Sequence, residues 1–234
     1  MKKYTLLLNI FRLSFASIYL AACSTSSSET PAVISRPHVF SESELCAGTT
    51  DPFDCAKKKE QALIKLYPEL VSRNENVLKL KLRYSDLELV DEGIQSNYDR
   101  FAAIDFLADL NVFVVARPGS ESIDLAIADG IYGLKSRIIG FPIASPGKTQ
   151  FVCSKPMNNW SKYGDDLEVW VRENTRWYQS FEIEGLNWKI GTVKWKNDTE
   201  IHVWRAKTDA DHTPPALILT SGYDGIWTKK LINN

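Results

Sequence analysis

NVFVVARPG, residues 111 to 119, and SIDLAIADG, residues 122 to 130, decide the fold class between them. In the second stretch Ile123, Leu125 and Ile127 alternate with Asp124, Ala126 and Ala128, and the run ends on Asp129-Gly130. A period of two sends successive side chains to opposite faces of a strand, and Asp-Gly suits the left-handed backbone of a tight hairpin turn. The pattern recurs outward. RIIGFPIASPGKTQFVCS (Arg137 to Ser154) precedes DDLEVWVREN (Asp165 to Asn174), in which Leu167, Val169 and Val171 alternate. GTVKWKNDTEIHVWRA (Gly191 to Ala206) leads past Pro214 and Pro215 to ALILTSGYDGIWTKKL.

These blocks are related to one another. Ser145 to Val152 can be laid over Trp195 to His202 at an offset of fifty residues, and Leu107 to Val115 lies thirty-eight residues before Ser145 to Cys153. Repeats of this length with several short strands mark propeller blades, while a β-sandwich or an open stack of meanders fits the same alternation. The expected fold is therefore mainly β, with antiparallel meanders in a propeller-like or sandwich arrangement and one N-terminal amphipathic helix.

Nearer the N-terminus, Leu78, Leu80, Leu82 and Tyr84 alternate with Lys79, Lys81 and Arg83, and Leu87 and Leu89 follow a Ser85-Asp86 turn, which predicts a half-buried hairpin. Residues 93 to 106 read as loop, short helix or strand. Before the hairpin, Ala62, Leu63, Leu66, Tyr67 and Leu70 recur at helical spacing after an expected N-cap at Asp54, and Pro68 limits the helix. Lys57, Lys58, Lys59 and Lys65 read as its wet face. Cys46 and Cys55 bracket the turn-rich AGTTDPFD, so a disulfide closing this small loop is expected in an oxidising compartment. Metal binding by the pair would need further ligands from His202, His212 or Cys153, all far away in sequence; no metal and no cofactor are expected.

The chain opens with MKKYTLLLNIFR and the apolar LSFASIYLAA (Leu13 to Ala22), the layout of a secretory signal. Ten residues make about 15 Å of helix, half of a ~30 Å hydrocarbon core, too short to span it. Leu20-Ala21-Ala22-Cys23 resembles the lipobox of bacterial lipoproteins. That resemblance implies cleavage between Ala22 and Cys23 and acyl chains, palmitate among them, on Cys23. Ser24 in the next place favours the outer membrane where the host has one. The expected organisation is a signal peptide (1–22), a Ser- and Pro-rich tether (23–40) containing His38, and a single β-rich domain (41–234) with its cysteine loop and helix.

In the body, Ala144-Ser145-Pro146-Gly147-Lys148 with Phe151-Val152 resembles the SPDG strand of TolB-type and WD40-like propeller blades, and Asp166 to Val171 resembles the strand after it. The Asp of SPDG is missing here, and the other copies lack the Ser-Pro pair. The chain also resembles uncharacterised bacterial exported proteins with a cysteine-led helix before a β-rich body.

Removing residues 1 to 22 reduces the 28 basic residues to 25 against 29 acidic ones, a balance that gives no support for nucleic-acid binding. All seven tryptophans (Trp160, Trp170, Trp177, Trp188, Trp195, Trp204 and Trp227) fall in the last 75 residues. They fit filling between sheets, or an exposed surface for sugars or a protein partner. Trp170 and Trp204 stand in the register opposite Val169 and Val203, so both faces of their strands need a covering layer or a partner. Asp165, Asp166, Glu182 and Glu184 are the carboxylates a glycosidase would draw on, yet Glu182 and Glu184 alternate with Phe181 and Ile183 as a solvated strand face does. Ser221-Gly222-Tyr223-Asp224-Gly225 reads as a hairpin turn, and Cys153 as a buried free thiol. No catalytic motif emerges. The expected function is a non-catalytic, lipid-anchored, periplasm-facing binding module that engages the membrane through Cys23 and another envelope protein through its body. The competing expectations are an immunity or inhibitor lipoprotein that neutralises an envelope toxin or lytic enzyme, and a glycan-binding or glycan-cleaving envelope protein.

Overall fold

The computed structural model describes residues 46, 48–92, 100–118, 123–129, 133–154, 165–174, 176–206, 210 and 213–232. The lipobox, the tether with His38, Trp160 and His212 lie outside the described residues. Ser35–Asn234 forms one compact unit. Its described part holds one helix, α1 (Pro52–Leu66), and fifteen strands in four antiparallel meanders. Sheet 1 contains β1 (Val71–Asn74), β2 (Val77–Lys81) and β3 (Asp86–Val90). Sheet 2 contains β4 (Ala102–Leu107), β5 (Val112–Pro118), β6 (Ile123–Asp129) and β7 (Gly133–Ile138). Sheet 3 contains β8 (Ile143–Ala144), β9 (Gln150–Ser154), β10 (Asp165–Glu173) and β11 (Arg176–Leu186). Sheet 4 contains β12 (Ile190–Asn197), β13 (Glu200–Arg205), β14 (Leu217–Ser221) and β15 (Trp227–Leu231).

Three cores show how the sheets are layered. Leu78, Leu80 and Leu89 of sheet 1 meet Phe106, Phe113 and Val115 of sheet 2. Val112, Val114 and Ile127 of sheet 2 meet Phe151, Cys153, Trp170 and Trp177 of sheet 3. Val152, Leu167 and Val169 of sheet 3 meet Val193, Ile201, Val203, Leu217 and Leu219 of sheet 4. β5 and β9 thus send alternate residues into two different cores, which is why their sequences are apolar runs rather than alternations. The two end sheets turn polar faces outward, with Lys79 pairing Asp86 and Glu88 outside sheet 1. No buried cluster of the described residues joins sheet 1 to sheet 4, so the sheets form an open, sandwich-like row.

The stretches aligned in the sequence are the first hairpins of sheets 2, 3 and 4, and they touch in series. Lys148 Nζ on the β8–β9 turn donates to Asp109 Oδ1 on the β4–β5 turn at 2.8 Å. Gly147 N donates to Asp198 Oδ1 on the β12–β13 turn at 2.6 Å, and Gln150 Nε2 to the Asp198 carbonyl at 2.9 Å. The carboxylate at Gly147 therefore comes from the neighbouring sheet. A Cβ at Gly147 would lie 2.7 Å from it, so any larger residue there has to push the Asp198 carboxylate aside.

Helix α1 begins earlier than the sequence suggests. Asp51, not Asp54, is the N-cap, accepting from Phe53 N at 2.8 Å, with Pro52 opening the first turn. Tyr67 caps the other end ahead of Pro68. The helix lies along the free edge of β4. Buried Glu60 accepts there from Ala103 N at 3.2 Å and from both Nε and Nη2 of Arg73. Arg73 also donates to Asp91 and to the Phe101 carbonyl, as does Lys57. Lys57 is thus an inner member of an ion network, not part of the wet face. Its burial lowers its pKa, with Arg73 adding to the shift while Glu60 and Asp91 oppose it. One further expectation changes: Tyr84 does not point inward with Leu78, Leu80 and Leu82 but is exposed in the turn after β2, which ends at Lys81.

Candidate functional site

Where side chains of sheet 3 reach solvent depends on which strand edges are covered. Helix α1 shields β4, but the next first strand, β8, is only two residues long, and Phe141 and Ile143 at its edge are each 39% exposed. Gly140 brings this segment close against β9, where a Cβ would overlap the Ser154 carbonyl. The strip is framed on one side by α1, whose Lys59 Nζ lies 5.3 Å from the Phe141 ring centroid. On the other side is β12, where half-buried Trp195 donates Nε1–H to the Ile143 carbonyl at 2.9 Å. Trp195 in turn meets Trp227 edge-on at 5.9 Å. Phe141 and Ile143 stand in a stretch that reads as core strand; only the shortness of β8 exposes them.

The residues singled out for chemistry are dispersed. Glu182 and Glu184 are exposed on β11, at the opposite edge of sheet 3 from β8. Asp166 accepts from Gly185 N at 2.9 Å; the side chain of Asp165 lies outside the described residues. His202 bonds Glu200 at 2.5 Å on the outer face of sheet 4, beside the Trp204 ring. No group of three or more potential metal ligands occurs among the described residues. Cys46 and Cys55 form a disulfide, with Cα atoms 4.9 Å apart. Ser221 precedes a turn in which Ile226 N donates to Asp224 and Gly225 takes a positive φ of 75°, so it is a hairpin residue.

No protein-family model matches this chain, and no curated protein or solved structure does.

Trp170, Trp177, Trp204 and Trp227 are buried and Trp188 and Trp195 half-buried, so the described tryptophans make no exposed row. Trp170 faces sheet 2 as part of a second layer. Trp204 lies on the outer face of sheet 4, where no sheet of the described residues covers it. Its Nε1 donates to the Thr213 carbonyl at 2.9 Å, and Lys194 sits over its ring.

Sequence reasoning passed over the burial of three acids, Glu60, Asp129 and Glu168. Glu168 on β10 is 3% exposed and accepts from Ile139 N at 2.9 Å. Burial raises its pKa; the Ile139 bond opposes the shift. Its cross-strand neighbour Cys153 is a buried free thiol whose pKa is pushed well up, first by burial and then by the Glu168 charge, with the Gly140 backbone bond opposing. A thiol so placed is kept from the thiolate form that reacts. A signal for Glu168 was present in DLEVWV: its face of the strand is shared with Trp170, and the neighbouring strand places Phe151 and Cys153 on that same face.

Proposed function

We propose that the chain is an exported lipoprotein, acylated at Cys23, whose body is a non-catalytic module that binds another protein of the cell envelope, facing the periplasm where the host has an outer membrane. The strip of Phe141 and Ile143 carries this reading. An aromatic and an aliphatic side chain stand exposed at a strand edge that no other described strand pairs, between a helix and a tryptophan, and a few apolar anchors of this kind supply much of the energy of a protein interface. The dispersal of carboxylates, histidine and thiol supports binding over catalysis, and the burial of tryptophans supports a protein partner over a glycan.

The test is affinity capture from envelope extract on the immobilised body, compared with a Phe141→Ser, Ile143→Ser double variant whose folding is checked by near-UV circular dichroism. One stoichiometric protein retained by the parent and lost by the folded variant is the expected result. Equal retention by both removes the strip from the interface, and recovery of polysaccharide alone overturns the protein-binding reading. The lipid anchor is read separately, as acyl mass lost in Cys23→Ser.

A further inference from the structure

The charge of the chain is unevenly placed. From Trp188 onward the sequence has seven basic and five acidic residues, against seventeen and twenty-one from Cys46 to Asn187. That C-terminal stretch contains sheet 4, the end of the row, whose outer face no other sheet of the described residues covers. Strand register sets Lys194, His202, Ile218 and Lys230 in one line across that face. The carboxylate of Glu200 on this face is held by His202. Lys196 and Lys230 on this face are exposed and form no ion pair among the described residues, whereas Lys229, opposite Leu219 in the register, stands on the other face of the edge strand.

At one end of the same sheet the β14–β15 hairpin presents Tyr223, fully exposed, and Ile226, 62% exposed. This tip is rigid. Gly222 N donates to the Ile226 carbonyl at 3.0 Å, Gly225 N to the Gly222 carbonyl at 3.1 Å, and Ile226 N to Asp224 Oδ1 at 3.0 Å. Ser221 N ties its base to the Thr199 carbonyl at 2.9 Å.

We propose that the outer face of sheet 4 rests on an anionic lipid surface, with its lysines against phosphate headgroups and Tyr223 and Ile226 entering the headgroup layer. Lysines near an anionic membrane are attracted to it, and a tyrosine with an apolar body and a polar tip suits the interface. Asp224 at the tip limits the depth. An ionised carboxylate is costly in hydrocarbon, so the contact stays among headgroups. The tip is convex, which fits a deformable lipid layer. This contact is independent of the partner-binding strip, and it needs no acyl chain.

The test uses Ser35–Asn234, the compact unit that contains α1, all four sheets and their three cores, without Cys23. It is floated with phosphatidylcholine vesicles, with and without phosphatidylglycerol, at low and high salt. Binding only to the phosphatidylglycerol vesicles, and only at low salt, is expected. Lys196→Gln and Lys230→Gln together weaken it on the order of 25-fold, about fivefold per lysine. Tyr223→Ser weakens it independently of salt. These side chains are solvated, so each variant keeps its thermal transition. Three results overturn the proposal: no preference for phosphatidylglycerol, unchanged binding by the folded double variant, or capture of a protein through these lysines while vesicles are ignored.

Discussion

Replacing Glu60 by Ala tests the account of how the helix is fixed to the sheets. Glu60 is 2% exposed and holds Arg73 through two nitrogens, the second at 3.0 Å, as well as the edge N–H of Ala103. Losing the carboxylate leaves that N–H buried without a partner, at about 1–3 kcal/mol, and strips the mostly buried Arg73 of its closer ion pair. Arg73 keeps Asp91 at 3.0 Å and the Phe101 carbonyl at 2.6 Å, which offsets part of the loss. The expected cost is about 3–5 kcal/mol, or on the order of 10 °C in Tm for a domain of this size. Glu60→Gln retains one acceptor and is expected to cost about 2 kcal/mol. Urea unfolding followed by tryptophan fluorescence, with the slope m compared across variants, measures both. A Glu60→Leu, Arg73→Met double variant is expected to recover the share due to the unpaired Arg73 but not the share due to the Ala103 N–H, which still lacks an acceptor. A Glu60→Ala cost below about 1 kcal/mol, or a double variant no better than the single, refutes the reasoning.

Glu168 predicts a pH dependence. Its carboxyl is raised by burial, so its stabilising contribution is complete below the ordinary carboxyl value of about 4.3 and is lost as pH rises through the raised folded value. Glu168→Gln should therefore match the parent in acid and exceed it at neutral pH; parallel stability curves for the two proteins would show that Glu168 does not titrate in this way. Gly147→Ala places a methyl against the Asp198 carboxylate and should cost about 1–3 kcal/mol, with part of the loss relieved by adding Asp198→Ala. Strictly additive costs in that pair, measured by thermal unfolding, would mean the two turns do not press on each other.

The strands were legible because alternation survives wherever one face is buried and the other wet, as at Leu78 and Leu80. β5 and β9 were recognisable as strands only through their length and their flanking turns, since a strand serving two cores has no polar face. The hairpin repeats could be aligned because each sheet begins with the same construction, but their contacts could not be read, since Asp109, Lys148 and Asp198 look like ordinary surface charges. Glu60 was hidden for a related reason. In KKKEQALIKL it falls among polar helix positions, and its partners Arg73 and Ala103 lie 13 and 43 residues away. The exposure of Phe141 and Ile143 was likewise invisible, because it follows from a strand ending after two residues. The start of helix α1 was misplaced by three residues, since Asp51 and Asp54 are both competent caps and only the helix-opening Pro52 favours the earlier one.

Sheets 2 and 3 are each gripped on both sides, whereas sheet 4, among the described residues, shares a core with sheet 3 alone and is tied to it by the paired turns of Gly147 and Asp198 and by the Trp195 bond to Ile143. Sheet 1 is also an end, but the helix and its ion network fasten it to β4. Under tension applied at the C-terminus, resistance should therefore fall in steps: the last meander detaches as a unit while the double-sided layers keep their amide protons. An object built this way has a soft end and a hard end, and the soft end is the one with its lysines outermost.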